Sequence, residues 1–464
     1  MESFRIEKDS LGEVRVPREA LYGAQTQRAV ENFPISGMRA HPWFVRATIE
    51  VKKACARANG DVGALSPDQT RAIVAACDFL LREGGERHFV VDIFQAGAGT
   101  SHNMNANEVI ANLAEELLGG KRGEYRFIHP NDHVNYGQST NDTIPTAIRV
   151  ATLLGYEWFI PHLEMAIRSI ELLAEKYRDA VKAGRTHLQD AVPITYGQEF
   201  GGWATALRAG MKRLGDAAFH LREVPLGGSA VGTGLGSKPG YRWKAVNYLA
   251  HQTGLDLIPA QDLFSAIWSL SPFSHFTGAL RDIAIDLGKI CDDIRLLSSG
   301  PRTGFAELEL PPVQPGSSIM PGKVNPVICE MTNMVCFQVR AVDAAVSLAA
   351  AAGQLQLNVM MPLLAWNIPF ALHILGNALK VLNERCLTGI VVDTERGYQY
   401  AANSLALVTA LNTKIGYLAA AEIAKLAITE NIPITEAVVR SGKFSPEELS
   451  DLLNLLSLTR IPEP

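Results

Sequence analysis

Long apolar series at helical spacing constrain this chain more than any other feature. Three series advance in steps of three and four residues, namely Leu163–Leu173, Leu280–Leu297 and Ile328–Val346. This spacing is typical of α-helices with an apolar side. The windows around the series reach about 25–30 residues, well beyond an average helix of about 11–12 residues. Long helices with two apolar stripes pack as bundles, so the sequence predicts an all-α fold.

Helix-breaking residues divide the chain into three predicted regions. The stretch from Gly119 to Asn141 carries Gly, Pro, Asn and His and has no apolar stripe. The long helices are expected to end near Thr388, and Asp393–Arg396 has the character of a helix start. We therefore predict an N-terminal α domain over 1–139, a central helical bundle over 140–393 and a small C-terminal α domain over 394–464.

Composition excludes several classes of protein. The 464 residues are 47% hydrophobic and 20% charged, which is ordinary for a folded chain. A net charge of −5 provides no basic field for nucleic acid. The first residues lack the apolar core of a signal peptide, and the Ala-rich stretch 341–352 falls short of the roughly 18 apolar residues of a membrane span. We expect neither nucleic acid nor membrane as a partner.

The six cysteines show no C-x-x-C spacing. In a chain of this size they are expected to be reduced, buried thiols in a reducing compartment. The sequence therefore predicts a cytoplasmic protein.

Four polar, Gly-containing segments interrupt the helical background. They are dense in hydroxyls, amides and backbone donors, and they cover Gly97–Asn105, Gln138–Asp142, Gly184–Asp190 and Gly316–Pro326. We expect the third to join two long helices. Many neutral donors with one or two cations suit a small dianionic ligand.

Each segment also has a simpler interpretation. Gly97–Thr100 alone predicts a turn before a helix, with Thr100 or Ser101 as the N-cap. Gly316–Pro326 could be a linker, and it fails as a phosphate loop because Val324 follows the lysine where Ser or Thr is needed. His187 alone is more often structural than catalytic. The chain has no H-E-x-x-H and no His/Cys cluster at ligand spacing, so we expect no metal and no cofactor.

Taken together, the four segments indicate a particular protein family far more specifically than any one of them does alone. The run Gly316–Pro326 resembles the signature of the fumarase/aspartase superfamily, and the resemblance extends over essentially the whole chain. Further matching runs occur in the same order, at Arg5–Gly12, Tyr22–Arg28, His129–Asn135, Gly227–Gly234 and Leu407–Asn412.

The resemblance implies a three-domain α fold whose central five-helix bundle joins three others in a homotetramer. The core of that tetramer has twenty helices, which fits long helices that one chain could not fully bury. Family active sites combine segments from three subunits, and this would explain why the four polar segments lie far apart in sequence.

The chemistry implied by the resemblance is reversible β-elimination from a small dicarboxylate, giving fumarate or another trans-alkene diacid. A base removes a proton beside one carboxylate, and preorganised donors must hold the charge that develops. Ser317 corresponds to this base, acting as an alkoxide on a mobile loop. An unaided hydroxyl is too weak a base, so Lys323 and backbone donors of the loop must lower its pKa.

The resemblance also assigns the substrate contacts. The carboxylate that becomes the aci form would accept hydrogen bonds from Ser139, Thr140, Thr186 and Ser318. Lys323 and Asn325 clamp the other carboxylate, and the leaving group meets Thr100, Asn141 and His187. Glu330 is the expected partner of His187, and Ser101 is included among the substrate-binding residues.

Water and ammonia are the two candidate leaving groups. Ala98, Ser101, the run Ser139–Asp142 and the run Ala352–Met360 resemble aspartate ammonia-lyases. Gly23–Arg28 and Leu226–Gly228 resemble fumarases, and a second dicarboxylate site known from fumarases would comprise Arg126, His129, Asn131 and Asp132. We favour ammonia because the positions closest to the ligand include Ala98 and Thr140.

Residue chemistry alone leaves this choice open. An ammonium leaving group needs hydrogen-bond acceptors, whereas a hydroxyl leaving group needs donors. Asn141, Thr100 and His187 can each donate or accept a hydrogen bond. A third alternative is an inactive structural member, because some superfamily members serve as lens proteins. The intact set of Ser317, Lys323, Asn325, His187 and Glu330 argues against it.

Overall fold

The computed structural model describes residues 4–452 and 454–460. The ends of the first and last predicted regions, 1–3 and 461–464, lie outside the described residues. Sixteen α-helices occur in the described part of the chain: α1 Ala24–Asn32, α2 Pro42–Asp61, α3 Pro67–Arg82, α4 Thr100–Leu117, α5 Thr140–Lys176, α6 Tyr196–Phe219, α7 Tyr241–Thr253, α8 Leu263–Trp268, α9 Ser271–Leu297, α10 Val327–Ala351, α11 Met361–Arg385, α12 Thr394–Asn403, α13 Val408–Ile415, α14 Tyr417–Glu430, α15 Ile434–Ser441 and α16 Pro446–Leu452.

The strands are short and form only two-stranded pairs among the described residues. They are β1 Phe4–Asp9, β2 Gly12–Pro17, β3 Val181–Thr186, β4 Gln189–Thr195, β5 Glu223–Val224, β6 Ile258–Pro259, β7 Leu308–Glu309 and β8 Val391–Val392. Three pairs are antiparallel, β1 with β2, β3 with β4 and β7 with β8, while β5 and β6 pair in parallel. The fold is therefore all-α, as predicted.

The three apolar series lie in long helices, which confirms the helical prediction. They fall in α5, α9 and α10, which have 37, 27 and 25 residues. Helices α6 and α11 add 24 and 25 residues. Five helices of this length match the five-helix bundle that the resemblance implies.

Sequence signals at helix starts explain several element bounds. Helix α3 begins with a capping box, in which Ser66 accepts from the backbone N–H of Gln69 while the Gln69 side chain accepts from that of Ser66. Helix α12 starts where the sequence predicts, and the Asp393 side chain accepts from the backbone N–H of Arg396. Such local caps fix helix starts without tertiary help.

The chain divides into two compact units, and their boundaries fall within the five long helices. The first unit contains the described residues up to 160, together with 212–282 and 337–376. Helices α2, α3 and α4 enclose its buried apolar cluster, which includes Val45, Ile49, Ile73 and Ile110.

The second unit contains 161–211, 283–336 and the described residues from 377 onward. Its C-terminal helices α12–α15 pack an apolar cluster with β3, in which Val181 and Ala183 meet Leu411 and Ile423. The predicted boundaries at 139/140 and 393/394 coincide with the starts of α5 and α12. The three-domain division itself stays a prediction.

Helix α10 is, within the described residues, the one helix with the length and apolar composition of a membrane span. Core helices of proteins without a membrane meet the same criteria, and only 33% of its most apolar window is buried in this chain. Its exposed face carries Met334, Phe337 and Leu348. Such a face fits a bundle helix that packs against another subunit.

All six cysteines are buried. This confirms the prediction of buried cysteines.

Candidate active site

The segment Gln138–Asp142 forms the start of α5 in the first unit. Ser139 Oγ accepts from the backbone N–H of Asn141 at 3.2 Å, and Asp142 Oδ1 accepts from that of Ser139 at 2.9 Å. This reciprocal arrangement is a capping box. It places Thr140 and Asn141 at a helix N-terminus, where backbone donors and the helix dipole favour anions.

Asp142 ties this helix start to a second segment that matches the family. Its Oδ2 accepts from the backbone N–H groups of Gly227 and Ser229 at 2.9 and 3.0 Å. The side chain is fully buried, and burial raises the pKa of Asp142 to about 6. The run Gly227–Gly234 therefore supports the site through this carboxylate.

Asn141 and Thr140 are fixed by further hydrogen bonds. Asn141 Nδ2 donates to the carbonyl of Ala230 at 2.8 Å, and Thr140 Oγ1 accepts from Asn103 Nδ2 at 3.3 Å. The amide oxygen of Asn141 and the hydroxyl proton of Thr140 consequently remain available to a ligand.

A buried lysine below the start of α5 was missed by the sequence analysis. Lys52 is fully buried and donates to Asn135 Oδ1 and Gln138 Oε1, both at 2.9 Å. Among the described residues no carboxylate lies within ion-pairing distance of it, and burial lowers its pKa to about 8. Lys53 follows it directly in α2, and nothing in the sequence distinguishes the buried lysine from this neighbour.

The Gly97–Thr100 turn docks on the run that follows α10. The backbone N–H of Ala98 donates to Val359 O at 2.7 Å, and a Cβ at Gly97 would come within 2.9 Å of the Val359 side chain. Ala98 has φ +61 and Gly99 has φ +85. Two segments that resemble aspartate ammonia-lyases are thus in contact.

The cap prediction for this turn was wrong. Gly99 is the N-cap of α4, and Thr100 and Ser101 are its first two helical residues. The positive φ of Gly99 suits glycine, whereas a hydroxyl cap would need extended backbone. Thr100 is exposed and donates to Gly97 O at 3.4 Å, while Ser101 is buried.

The loop Gly316–Pro326 in the second unit is closed by its own backbone. Gly316 N–H donates to Lys323 O at 2.7 Å, and Asn325 Nδ2 donates to Gly316 O at 2.7 Å. A Cβ at Gly316 would lie 2.6 Å from Lys323 O, which explains the glycine. These hydrogen bonds close the loop into an ordered ring, so it is not an unstructured linker.

Ser317 lies inside this ring and faces two backbone donors. Its Oγ accepts from the N–H groups of Ile319 and Met320 at 3.2 and 3.0 Å. Side chains of serine commonly accept such bonds at turns, and the same two donors would stabilise the oxygen as an anion. Ser318 and Lys323 are exposed on the same loop, and Glu330 follows in the first turn of α10.

The third polar segment, Gly184–Asp190, lies in a β-hairpin, whereas the sequence predicted only a polar joint between long helices. Strands β3 and β4 connect α5 and α6, with a bulge between Ala183 and Arg185. His187 and Leu188 form a two-residue turn with φ +56 and +59, the geometry of a type I′ turn. The sequence does not reveal these strands because buried Lys182 and Gly184 break any apolar alternation.

Thr186 and His187 lie exposed at the tip of this hairpin. Within the described residues no hydrogen bond or ion pair joins His187 to Glu330, or Lys323 to Ser317. The roles assigned to these four residues therefore stay predictions, and so does their convergence in a site shared between subunits.

The suggested second dicarboxylate site lies on a separate segment of the first unit. Arg126, Asn131 and Asp132 are exposed, and the three backbone N–H groups from Arg126 to Ile128 donate to buried Glu115. His129 Nδ1 accepts from the N–H groups of Asn131 and Asp132, both at 3.3 Å. Asn131 and Asp132 lie in a π-helical turn, Pro130–Val134, and His129 is its N-cap.

One matched run supports the fold instead of a ligand. Buried Glu108 accepts from the backbone N–H groups of Gly23, Gln25 and Thr26 at 2.8–3.1 Å, and from Thr26 Oγ1 at 2.6 Å. The run Tyr22–Arg28 thus anchors α1. The described residues contain no group of three His, Cys, Asp or Glu side chains able to hold a metal ion.

Comparison with known proteins places this geometry in a class. A family model described as Lyase matches residues 12–341, and one described as Fumarase C C-terminus matches 407–460. The chain is therefore a lyase. The chain belongs to the fumarase/aspartase superfamily.

The similar relatives include both aspartate ammonia-lyases and class II fumarate hydratases. Aspartate ammonia-lyase from Pseudomonas aeruginosa is 48% identical, with 99% of this chain and 98% of the relative covered. Fumarate hydratase class II from Halobacterium salinarum is 47% identical, with 99% and 97% covered. A solved structure described as fumarate lyase:delta crystallin from Brucella melitensis bound to cobalt has a TM-score of 0.95 at 47% identity, covering 99% and 100%.

Proposed function

We propose that this lyase is an aspartate ammonia-lyase, which reversibly eliminates ammonia from L-aspartate to give fumarate. We further propose that it works as a cytoplasmic homotetramer, with each active site shared between subunits. The buried free thiols support a reducing compartment, and the exposed apolar face of α10 supports association.

The orientation of Asn141 carries the choice of ammonia over water. One of the two N–H groups of its Nδ2 donates to the carbonyl of Ala230, and the amide oxygen accepts no hydrogen bond from the described residues, so this oxygen is available to accept from the leaving group. An ammonium group has only donors and needs acceptors, whereas a departing hydroxyl gains from a donor. The amide that could serve either leaving group in the sequence thus favours the amine.

Thr100 supports the same choice. Its hydroxyl proton is directed to the Gly97 carbonyl at 3.4 Å, so its oxygen lone pairs are available as a second acceptor. Two acceptors on the leaving-group side suit an ammonium that must be held before the C–N bond breaks.

The residues assigned to the substrate carboxylate offer hydrogen-bond donors instead of acceptors. Ser139 Oγ and Thr140 Oγ1 each accept a hydrogen bond from the protein, so their protons are free to donate. Together with the N-terminus of α5 they suit the carboxylate that gains charge as the aci form. Thr186 and Ser318 would add donors there, and Lys323 with Asn325 would hold the other carboxylate.

Ser317 is the proposed base. Two backbone N–H groups stabilise its oxygen as an alkoxide, which takes the proton from the carbon beside the developing aci-carboxylate. The electron pair left on that carbon then forms the alkene as the C–N bond breaks, and ammonia leaves. His187, oriented by Glu330, would contact the amine.

Fumarate hydration is the alternative function, because a class II fumarate hydratase matches almost as well, at 47% identity. Arg126 and His129, which correspond to the second dicarboxylate site of fumarases, also favour it. An inactive structural role is the remaining alternative, and the intact set of Ser317, Lys323, Asn325, His187 and Glu330 speaks against it.

The test compares both substrates in one preparation. We expect purified protein to form fumarate from L-aspartate and, at equal concentration, far more slowly from L-malate, measured by ultraviolet absorbance of fumarate. Light scattering should give about four times the chain mass of 50.3 kDa. Rapid fumarate from malate with none from aspartate would overturn the proposal in favour of hydration. Activity on neither, with the tetramer intact, would point to a larger amine as leaving group.

A further inference from the structure

A fully buried carboxylate lies at the base of the β3–β4 hairpin. Glu307 has 0% exposure and immediately precedes β7 in the second unit. Its Oε2 accepts from Tyr196 OH at 2.7 Å and lies 3.3 Å from Lys182 Nζ, while its Oε1 lies 2.6 Å from Arg185 Nη1. Three groups thus converge on one side chain that has no assigned role.

Both cations belong to strand β3. Lys182 is 2% exposed and also pairs with Glu199 at 2.7 Å. The Arg185 guanidinium packs over the rings of Phe305 and Tyr400, 4.4 and 5.5 Å from their centroids. Burial, followed by the charge of Glu307, raises the pKa of Tyr196 far above its usual range, so Tyr196 stays a neutral donor. Buried charges with several partners hold a fixed geometry, because breaking any pair leaves a charge uncompensated.

The hairpin tip has no comparable support of its own. Thr186, His187 and Leu188 are exposed, and the single side-chain hydrogen bond to the tip in the described residues comes from Gln189 Nε2 to His187 O, at 3.5 Å. Both turn residues have positive φ. Arg185, which directly precedes Thr186, is the last residue of β3 fixed by a buried partner. The orientation of the tip therefore depends on how Arg185 and Lys182 are held.

We propose that Glu307 is a positioning residue, which fixes the stem of the β3–β4 hairpin so that Thr186 and His187 are presented to substrate. This inference rests on the proposed function for the roles of Thr186 and His187. Glu307 does not contact the substrate and acts through Arg185 and Lys182. Because a displacement of about 1 Å at a reacting group can cost about 10²-fold in rate, loosening this stem should be visible in turnover.

The test is Glu307→Gln in the full-length protein, with Glu199→Gln as the matched control. Both variants remove one carboxylate from Lys182, but only Glu307→Gln also frees Arg185. We expect Glu307→Gln to lower kcat about 10- to 100-fold at a temperature well below its Tm. Glu199→Gln should lower Tm and leave kcat within about twofold, since the Arg185 anchor remains.

Amide hydrogen exchange gives a readout that needs no substrate. In Glu307→Gln, exchange should accelerate within 181–195 and stay unchanged in the Gly316–Pro326 loop. If the wild type turns over neither aspartate nor malate, the proposed function fails while exchange still decides the positioning role. Wild-type exchange in the hairpin, or faster exchange with wild-type kcat in an active enzyme, would overturn the inference.

A second variant covers the case in which Glu307→Gln does not fold. Arg185→Lys keeps the positive charge but loses the planar guanidinium that reaches Glu307 and packs on Phe305. We expect the same selective rise in exchange and the same fall in kcat, with the tetramer intact. Unchanged kcat and unchanged exchange in Arg185→Lys would overturn the proposal.

Discussion

The two units hold their candidate site residues in opposite ways. In the first unit, the start of α5 rests on buried side chains, with Asp142, Asn103 and the cation Lys52 beneath it. In the second unit, the loop around Ser317 is closed mainly by its own backbone, and the His187 turn projects from a hairpin. Under the proposed function, the first arrangement would be preorganised to hold a carboxylate, and the second would leave room for movement when the proton is taken.

The proposed function would give the two regions separate tasks. A preorganised donor set contributes to binding in both ground state and transition state, whereas a base contributes only when the proton is transferred. Variants in the two regions should therefore separate KM from kcat.

The largest effect is expected from removing the base. Ser317→Ala should lower kcat by about 10²–10⁴-fold while fumarate still binds with nearly wild-type Kd, measured by steady-state kinetics and calorimetry. Thr140→Val in the first unit is the matched counterpart, because it removes a hydroxyl donor without changing size. Its loss of about 1–3 kcal/mol should raise KM and the Kd of fumarate, which Ser317→Ala leaves nearly unchanged, and should also lower kcat because this donor meets the developing charge. If Ser317→Ala keeps wild-type turnover, the base is another residue, with His187 the next candidate.

A medium effect is expected from the charge of Lys52. Burial lowers its pKa to about 8, so the cation is present below that pH and is lost above it. Fumarate keeps both charges from pH 6 to 9, and its Kd should therefore rise as the pH rises through 8, about fivefold for an interaction of roughly 1 kcal/mol. Lys52→Met should bind fumarate weakly at pH 6 and lose this step. A step that persists in Lys52→Met would assign the titration to another group.

The smallest effect is expected at the hairpin tip. Leu188 holds φ +59 in an exposed turn position where glycine is unstrained. Leu188→Gly should leave Tm unchanged or raise it slightly, by relief of up to about 1 kcal/mol of strain, and should leave the circular dichroism spectrum unchanged. Val192→Gly, in the adjoining strand β4, should instead lower Tm. A clear loss of stability in Leu188→Gly would mean that the leucine makes contacts that matter in the assembled protein.

Several elements of the fold follow from local properties of the chain. The three apolar series predict α5, α9 and α10, and Asp393 predicts the start of α12, because periodicity and caps depend on residues close in sequence. The ring around Ser317 is local in the same sense, since Gly316, Gly322 and Asn325 lie within ten residues of one another. The N-cap of α4 and the β3–β4 hairpin do not follow from such rules, because positive φ at Gly99 and a buried Lys182 contradict them.

The sequence by itself determined the helical bundle, the four polar segments and the superfamily. Only the tertiary structure decided which polar groups remain free for a ligand. Three hydrogen bonds orient these groups: Asn141 donates to Ala230 O, Asp142 accepts from Gly227 N–H, and Gln138 accepts from Lys52. Each pair is more than 80 residues apart in the chain. The physical reason is that a buried donor or acceptor must find a partner, and that partner fixes which atoms of the side chain still face the site.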